Sequence, residues 1–434
     1  MTSASDTANA RVSVSGTSDS DSISKSPAPT NAGSMPQRDY KADLVIIGAG
    51  SGGLSAAAGA AMLGLDVVLY EKGEMGGDCL NYGCVPSKAL LTAAKAAHEA
   101  RNSAKYGVTV SEPVVDWEGV KAHVQKAIDT IAPVDSQERF EGLGVTVVRE
   151  HAKFADPKTI VSASTRTKAR RIIIATGSTA FIPPIPGLDT TPYITNETVF
   201  SLPEQPEHLV ILGGGPIGVE MAQAFRRLGS EVTVIEMGRA MARADADHAK
   251  IAVDQLKSEG ITILEGHKAV KVSGSDGAIS VETEAETGNK TVSGTHLLVA
   301  VGRSAMLDGL ELEAGHVDYD RSGVTVSDKL RSPSNPRVWA LGDIAGQGQF
   351  THLAGWHASV FVRRALFKQF SKASDLPLPA VTYVQPEVAQ LGMTEAEARE
   401  VHGDEIAVTH FAFDENDRAI AEGKTDGEVK LIIR

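Results

Sequence analysis

Cysteine is scarce in this sequence: Cys79 and Cys84 are the only two among 434 residues. A close cysteine pair in an intracellular protein indicates redox or metal chemistry before structural cross-linking. No second cysteine pair or Cys/His cluster is present to complete a tetrahedral metal site. We therefore expect a redox-active pair and no bound metal.

Aromatic residues are also few, at 5%, and positive charge is in deficit, with a net charge of −13. This balance argues against nucleic acid or an anionic membrane as a partner. Leu44–Tyr70 is nearly free of charge, but its glycine-rich middle predicts strand, turn, helix and strand rather than a membrane span. No signal-peptide pattern opens the chain. We expect a soluble cytoplasmic protein, with residues 1–38 a disordered tail and a transit peptide as the weaker alternative.

The two cysteines lie in the stretch Gly76–Lys88, which reads GGDCLNYGCVPSK. Positions five apart on one continuous helix are separated by about 7.5 Å of rise. That exceeds the roughly 4.4–6.8 Å that a disulfide allows between Cα atoms. The spacing therefore predicts Cys79 in a loop or distorted turn and a regular helix only from about Cys84, with Pro86 suited to its first position.

Cys84, at the start of that helix, is expected to face the positive end of the helix dipole, which lowers the pKa of a thiol and stabilises the thiolate. Lys88 follows one turn later on the same face and adds a second positive charge. We expect Cys84 to be buried and held as thiolate, and Cys79 to be free to attack an outside partner.

A Gly-x-Gly-x-x-Gly motif follows the apolar run Leu44–Ile47 and precedes an alanine-rich helix and a second strand, Val67–Tyr70. Its glycines allow a tight turn, close approach of a pyrophosphate and close packing of helix on strand. They are Gly48, Gly50 and Gly53. Glu71, at the end of the second strand, is placed to bond ribose hydroxyls.

The same unit recurs later in the chain, with glycines Gly213, Gly215 and Gly218. The last glycine of each motif precedes an acidic residue by the same interval of 18 positions, from Gly53 to Glu71 and from Gly218 to Glu236. Two fingerprints with matching spacing predict two dinucleotide sites.

The cysteine stretch resembles the redox-disulfide signature of the class I pyridine nucleotide–disulfide oxidoreductases, a family that includes dihydrolipoamide dehydrogenase, glutathione reductase and mercuric reductase. The resemblance extends over Tyr40–Arg434. It implies an α/β fold with two Rossmann-like domains, one for FAD and one for NAD, and the start of an α+β dimerisation domain.

The resemblance also implies an order of domains along the chain. We expect a first part of the FAD domain at 39–190, an NAD(P) domain at 191–315, a second part of the FAD domain at 316–376, and an incomplete dimerisation domain at 377–434. In that last region the sequence predicts four strands and one helix, near Thr394–His402.

Within this framework Cys84 is expected beside the flavin ring, and Cys79 is expected to exchange with substrate. Lys88 is expected near the reactive flavin nitrogen, paired with Glu220. His352 and His357 are expected to be plain helix-face residues. Besides the two glycine motifs and their acids, the expected cofactor-binding residues are Lys72, Gly77, Lys88, Thr176, Gly177, Gly302, Asp343 and Ala354.

Glu236 favours NAD, because a carboxylate accepts the ribose 2′-hydroxyl and repels a 2′-phosphate. Arg239, three residues later, leaves NADP as an alternative coenzyme. The expected acceptor is a small dithiol or disulfide, of the dihydrolipoamide dehydrogenase type. Hg(II) reduction is the second candidate, supported by the segments FIPPIPGL and FDENDRAIAEG, and glutathione reduction is less favoured. A non-catalytic nucleotide-binding protein is the alternative from another class.

The C-terminal His-Glu pair that serves as acid–base in the dihydrolipoamide and glutathione branches has no counterpart here. We therefore expect either that the sequence is incomplete at its C-terminus or that the protein lacks the half-reaction with substrate, and a homodimer where the full dimerisation domain is present.

Overall fold

The computed structural model describes residues 38–434. The tail predicted to be disordered lies outside the described residues, apart from Arg38, which begins the first strand. No helix within the described range is both long and apolar enough to cross a membrane. Leu44–Tyr70 instead contains the strand, helix and strand that its glycines predict.

The elements up to residue 180 include a pair of helices around the cysteines and most of the first sheet. They are β1 Arg38–Ile47, α1 Ser51–Ala61, β2 Val67–Tyr70, α2 Gly77–Asn81, α3 Cys84–Arg101, α4 Trp117–Asp135, α5 Gln137–Gly142, β3 Thr146–Val148, β4 Lys153–Asp156, β5 Thr159–Val161, β6 Thr165–Ile174 and β7 Ser178–Ala180.

The next elements form the second nucleotide unit and an antiparallel meander on it. They are β8 His208–Leu212, α6 Pro216–Leu228, β9 Glu231–Glu236, α7 Ala246–Ser258, β10 Thr262–Glu265, β11 Lys268–Ser275, β12 Ala278–Glu284, β13 Lys290–Gly294, β14 His296–Val299 and β15 Arg303–Ala305.

The remaining elements return to the first sheet and then form the C-terminal part. They are β16 Tyr319–Asp320, β17 Gly323–Val324, β18 Val338–Ala340, α8 Thr351–Phe361, β19 Ala380–Thr382, β20 Val388–Gln390, α9 Glu395–His402, β21 Ala407–Ala412, α10 Asp417–Glu422 and β22 Glu428–Ile433.

The first sheet is built around β1, whose last four residues are buried, as expected for a strand covered on both faces. β1 pairs in parallel with β2 on one side and with β6 on the other, and β3 continues beyond β2. β18, from much later in the chain, pairs in parallel with β6. The first sheet is therefore completed only after the chain has passed through the second unit.

The second sheet repeats this arrangement, with the order β10-β9-β8-β14 and parallel pairing throughout. Helix α6 lies between β8 and β9 in sequence, as α1 lies between β1 and β2. In the first unit β1 carries a glycine motif at its carboxyl end and lies between β2 and β6. In the second unit β8 carries the other motif and lies between β9 and β14. Ligands of open α/β sheets bind at such carboxyl ends.

The C-terminal part contains the four predicted strands as two antiparallel pairs, β19–β20 and β21–β22. The predicted helix near Thr394–His402 is α9, which begins with a capping box between Thr394 and Glu397. The expectation of a single helix is wrong, because α10 follows. Its N-cap is Asn416, whose side chain accepts a hydrogen bond from the Ala419 amide.

Candidate active site

The two cysteines lie on two consecutive helices that break at Tyr82–Gly83. Cys84 is the first residue of α3, as the spacing predicts. The prediction of a loop or distorted turn for Cys79 is wrong, because Cys79 lies within the short helix α2. Gly76 precedes α2 with φ of +86°, a left-handed conformation that suits glycine and turns the chain into this helix.

Pro86 is the third residue of α3 rather than the first. The position remains acceptable for proline, since the first four N–H groups of a helix lack intrahelical partners. Cys84 therefore occupies the place nearest the positive end of the helix dipole.

Cys84 lies in surroundings that stabilise a thiolate. A hydrogen bond from Cys79, opposed by burial, lowers the pKa of Cys84 to about 6, and the Thr351 hydroxyl and the Lys88 ammonium act in the same direction. The Sγ atom of Cys84 lies 3.2 Å from Oγ1 of Thr351, the first residue of α8. Groups on three helices, α2, α3 and α8, thus stabilise the thiolate of Cys84.

Cys79 has the opposite preference. Its hydrogen bond to Cys84, together with burial, raises the pKa of the Cys79 thiol. The two sulfurs are not joined covalently in this structure. Both are half-buried, so the expectation that Cys84 is buried is wrong. The arrangement is a protonated thiol donating to a neighbouring thiolate, which assigns different chemistry to the two cysteines.

Lys88 and Glu220 meet beside the cysteines. Nζ of Lys88, one turn beyond Cys84, lies 2.9 Å from Oε2 of Glu220 on α6. Glu220 is 5% exposed, so it is not a surface acid of that helix. Its second carboxylate oxygen accepts the backbone N–H of Tyr383 at 2.9 Å, and the Tyr383 ring lies 4.3 Å from the Lys88 ammonium.

The two glycine motifs form matching backbone cradles. The first glycines, Gly48 and Gly213, have φ of +107° and +103°. At the third glycines, Gly53 and Gly218, a Cβ atom would lie 1.9 Å and 2.0 Å from the carbonyl oxygen of the first glycine. Only glycine fits at these close approaches.

The middle glycines border open space. A Cβ atom at Gly215 would have nothing within 4 Å, and one at Gly50 would reach only Gly77, at 4.0 Å. Helices α1 and α6 begin immediately afterwards, and neither N-terminus has a side-chain cap. Open space beside uncapped helix amides fits the pyrophosphate of a bound dinucleotide.

The acidic residues of the two motifs are held in the same way. Glu71 accepts the N–H of Ala49 at 2.6 Å and that of Gly73 at 2.7 Å. Glu236 accepts the N–H groups of Gly214 and Gly238 at 2.7 and 2.8 Å. Each carboxylate is thereby fixed at the edge of its cradle, where the ribose of a dinucleotide lies.

Gly77 connects the first cradle to the cysteines. Its φ is +60°, and a Cβ atom there would lie 2.7 Å from the Cα atom of Gly50. Helix α2, which carries Cys79, therefore packs directly on the glycine motif. A dinucleotide held by that motif would lie next to the sulfur pair.

Asp343 and Ala354 both adjoin Gly342. Oδ2 of Asp343 accepts a hydrogen bond from Ser178 at 2.5 Å. Burial raises the pKa of Asp343, while the bond from Ser178 and the charge of Arg303 oppose that shift. Ala354, 9% exposed, packs against Gly342 from α8.

His357 differs from its expectation. His352 is exposed, as a helix-face residue is, but His357 is fully buried and its Nδ1 accepts the Gly342 N–H at 3.1 Å. Burial lowers the pKa of His357 to about 4, so the ring is neutral at physiological pH. It holds the turn that carries Asp343.

Three of the remaining predicted residues lie where the chain crosses between units, and the fourth, Lys72, lies just after β2. The Thr176 hydroxyl donates to the Met306 carbonyl at 2.9 Å, and the Gly177 carbonyl accepts the Met306 N–H at 3.0 Å. The Gly302 carbonyl accepts the Phe181 N–H at 3.0 Å. Lys72 is exposed, directly after Glu71.

Three residues that the sequence analysis did not select contact this site. Thr351 bonds Cys84 across 267 positions, and Tyr383 closes the pair of Lys88 and Glu220. Arg303 donates to Ser178 and forms an ion pair with Asp78 at 3.1 Å. None of the three carries a local sequence signal, since each acts through contacts between distant parts of the chain.

Comparisons with known proteins follow the same architecture. A family model described as pyridine nucleotide-disulphide oxidoreductase matches residues 42–358. A second, described as the dimerisation domain of that family, matches residues 378–434.

Characterised relatives carry two different activities in their names. A mercuric reductase of Streptomyces lividans is 34% identical over 396 residues, covering 90% of this chain and 83% of the relative. A dihydrolipoyl dehydrogenase of Bacillus subtilis (strain 168) is 31% identical over 396 residues, covering 90% and 85%.

A solved structure is similar over the same range. The HOCl-induced flavoprotein disulfide reductase RclA from Escherichia coli, in its Cu(II) complex, superimposes with a TM-score of 0.78 and 27% identity. The superposition covers 90% of this chain and 86% of that one.

Proposed function

The chain belongs to the pyridine nucleotide–disulphide oxidoreductase family, and on this basis we propose that Cys79 and Cys84 are the redox-active pair through which it reduces a small acceptor. It is a flavin-dependent disulfide oxidoreductase that uses FAD with NAD(P)H. The alternative of a non-catalytic nucleotide-binding protein is wrong, because the relatives and the structural neighbour are oxidoreductases of this family.

The observation that carries the proposal is the asymmetry of the sulfur pair. Cys84 has a pKa lowered to about 6, and the pKa of Cys79 is raised. A dithiol at neutral pH then carries its charge on Cys84 and its proton on Cys79. This division holds Cys84 as the stabilised thiolate, and Cys79 has to lose its proton before it exchanges with an acceptor.

The bound flavin supplies the transfer of an electron pair between the nicotinamide and the sulfurs. Two electrons and one proton would convert the Cys79–Cys84 disulfide into a Cys79 thiol and a Cys84 thiolate, and Thr351 and Lys88 stabilise that thiolate. Cys79 gives up its proton to solvent and attacks one sulfur of an acceptor disulfide; the acceptor S–S bond breaks, a mixed disulfide forms, and the expelled thiolate takes up a proton from solvent. Cys84 then attacks Cys79, restores the internal disulfide and releases the second thiol.

The two cradles divide the coenzymes between them. We assign FAD to the cradle with Glu71, because Gly77 packs that cradle against the helix of Cys79. The cradle with Glu236 takes the nicotinamide coenzyme. The Glu236 carboxylate favours NADH, since it accepts a ribose hydroxyl and repels a 2′-phosphate.

The first candidate acceptor is a small disulfide of the lipoyl type, which the exchange at Cys79 reduces directly. Hg(II) is the second candidate, supported by the 34% identity to the mercuric reductase of Streptomyces lividans. A thiolate is a soft ligand for Hg(II) and a nucleophile toward a disulfide, so the same pair serves either acceptor.

The acceptor is identified by comparing lipoamide, glutathione disulfide and Hg(II) in steady-state NADH oxidation by the full-length gene product. We expect the largest kcat/KM with lipoamide, and loss of turnover in Cys79→Ser. A larger kcat/KM with Hg(II) would assign the mercuric branch. Turnover that survives Cys79→Ser with every acceptor would contradict the role of the pair.

We also propose that the protein is a homodimer, because residues 378–434 match the dimerisation domain of the family. A cytoplasmic location remains our prediction from the pair of redox-active thiols, which reducing compartments maintain. Sedimentation of the purified protein measures its oligomeric state, and fractionation of cells measures its location.

A further inference from the structure

Tyr383 occupies a junction between three parts of the chain. It follows β19 in the region that matches the dimerisation domain. Its backbone N–H donates to Oε1 of Glu220 at 2.9 Å, and its ring lies 4.3 Å from Nζ of Lys88. The residue therefore contacts both members of the ion pair, the anion through its backbone and the cation through its ring.

The ring has a physical effect on the ammonium group. An ammonium within about 6 Å of an aromatic centroid is attracted by the ring quadrupole. Lysine carries its charge on a flexible stem, and the Lys88 side chain is 37% exposed. Glu220, which is 5% exposed, contacts the Lys88 ammonium on one side. The Tyr383 ring therefore restricts the positions that the ammonium could otherwise take toward solvent.

We propose that Tyr383 is a positioning residue of the redox site, whose ring holds the Lys88 ammonium against Glu220 at the distance from which it stabilises the Cys84 thiolate. The inference rests on the proposed function of the sulfur pair. It concerns the side chain of Tyr383, since the hydrogen bond to Glu220 comes from its backbone and survives substitution.

Several groups surround Cys84, and they define what a test must separate. Cys79 donates a hydrogen bond, Thr351 adds a second, and the Lys88 charge favours the thiolate. The Asp78 charge opposes it. Among these contacts, only the one with Lys88 depends on the Tyr383 ring.

The experiment uses the FAD-loaded protein with Cys79→Ser as the parent. Cys84 is then the single thiol of the chain, and serine keeps a hydroxyl beside it. The pH midpoint of its ionisation is measured as the rate of alkylation by iodoacetamide across pH. We expect Tyr383→Leu to raise the midpoint by about half a pH unit and Tyr383→Phe, which keeps the ring, to leave it unchanged.

A double-mutant cycle separates positioning from general packing. In Lys88→Met we expect the midpoint to be higher than in the parent, and adding Tyr383→Leu should then cause no further change. Tyr193→Leu is the matched control, because Tyr193 has nearly the same exposure, 38% against 36% for Tyr383. It should leave the midpoint at the parent value. Where Tyr383→Leu lowers the soluble yield, Tyr383→Met replaces it with the same expected shift.

The inference is overturned if Tyr383→Leu leaves the midpoint unchanged, or if it shifts the midpoint equally with and without Lys88. Failure of the proposed function gives a different result. In that case the parent protein shows no long-wavelength absorbance from thiolate to flavin at any pH, whichever residue stands at 383.

Discussion

The Nζ atom of Lys88 lies 2.9 Å from Oε2 of Glu220, although 132 positions separate the two residues. Lys88 belongs to the helix that begins at Cys84, and Glu220 belongs to the helix that follows the second glycine motif. The contact therefore joins the sulfur pair to the second nucleotide unit. A half-buried cation paired with a buried anion fixes the relative position of these helices.

The Lys88–Glu220 pair should contribute to stability. Lys88→Met leaves the Glu220 carboxylate buried without its cation, and we expect the free energy of unfolding to fall by about 1–2 kcal/mol. The loss is smaller than for a fully buried pair, since water reaches Lys88. Urea denaturation measures it. In a Glu220→Gln background the same substitution should cost distinctly less, and an equal loss in both backgrounds would mean that the pair contributes nothing to stability.

Cys84 is expected to be the sulfur that interacts with the flavin. Cys84→Ser should abolish the long-wavelength absorbance from thiolate to flavin, while FAD stays bound. Cys79→Ser is the matched control and should keep the band, because the Cys84 thiolate remains. The absorbance spectrum of each variant is measured with the flavin oxidised, because a single-cysteine variant has no disulfide to accept electrons. A band that persists in Cys84→Ser would require the roles of the two sulfurs to be exchanged.

The pH dependence of that band follows from the pKa of Cys84, which the site lowers to about 6. A lowered thiol pKa means that the thiolate is present above this pH and is lost as the pH falls through it. In Cys79→Ser we expect the band to be half lost near pH 6, measured by an absorbance titration. A midpoint near the ordinary pKa of cysteine, about 8.5, would contradict the thiolate site.

Glu236 is expected to set the preference between coenzymes. Glu236→Gln keeps an oxygen that can accept the Gly214 N–H and removes the charge that repels a 2′-phosphate. We expect the ratio of kcat/KM for NADH over NADPH to fall by about tenfold, as for a loss near 1.4 kcal/mol. Glu71→Gln, in the other cradle, should lower FAD retention and leave that ratio alone. An unchanged ratio in Glu236→Gln would show that another group selects the coenzyme.

The parts of the fold that the sequence predicts well depend on local constraints. The glycine motifs are predicted well because the positive φ at Gly48 and the close approach at Gly53 admit no other residue. Both constraints are local and do not depend on distant segments. Val67–Tyr70 is bounded as predicted, because a short β-branched apolar run between turns leaves little alternative.

The parts that it misses depend on tertiary contacts. Cys79 is helical because the chain turns at Gly76 and Gly77 packs α2 onto Gly50. A rule about the spacing between two cysteines contains neither contact. His357 is buried because α8 packs on the turn at Gly342. Such residues become visible only when distant segments are brought together.

The most direct test of the central claim is an anaerobic titration of the purified protein with NADH, followed by absorbance and by counting thiols. We predict that one equivalent of NADH produces the long-wavelength band and two titratable thiols per chain, because the electron pair reaches the Cys79–Cys84 disulfide. Bleaching of the flavin with no such band and no gain in thiols would contradict the account.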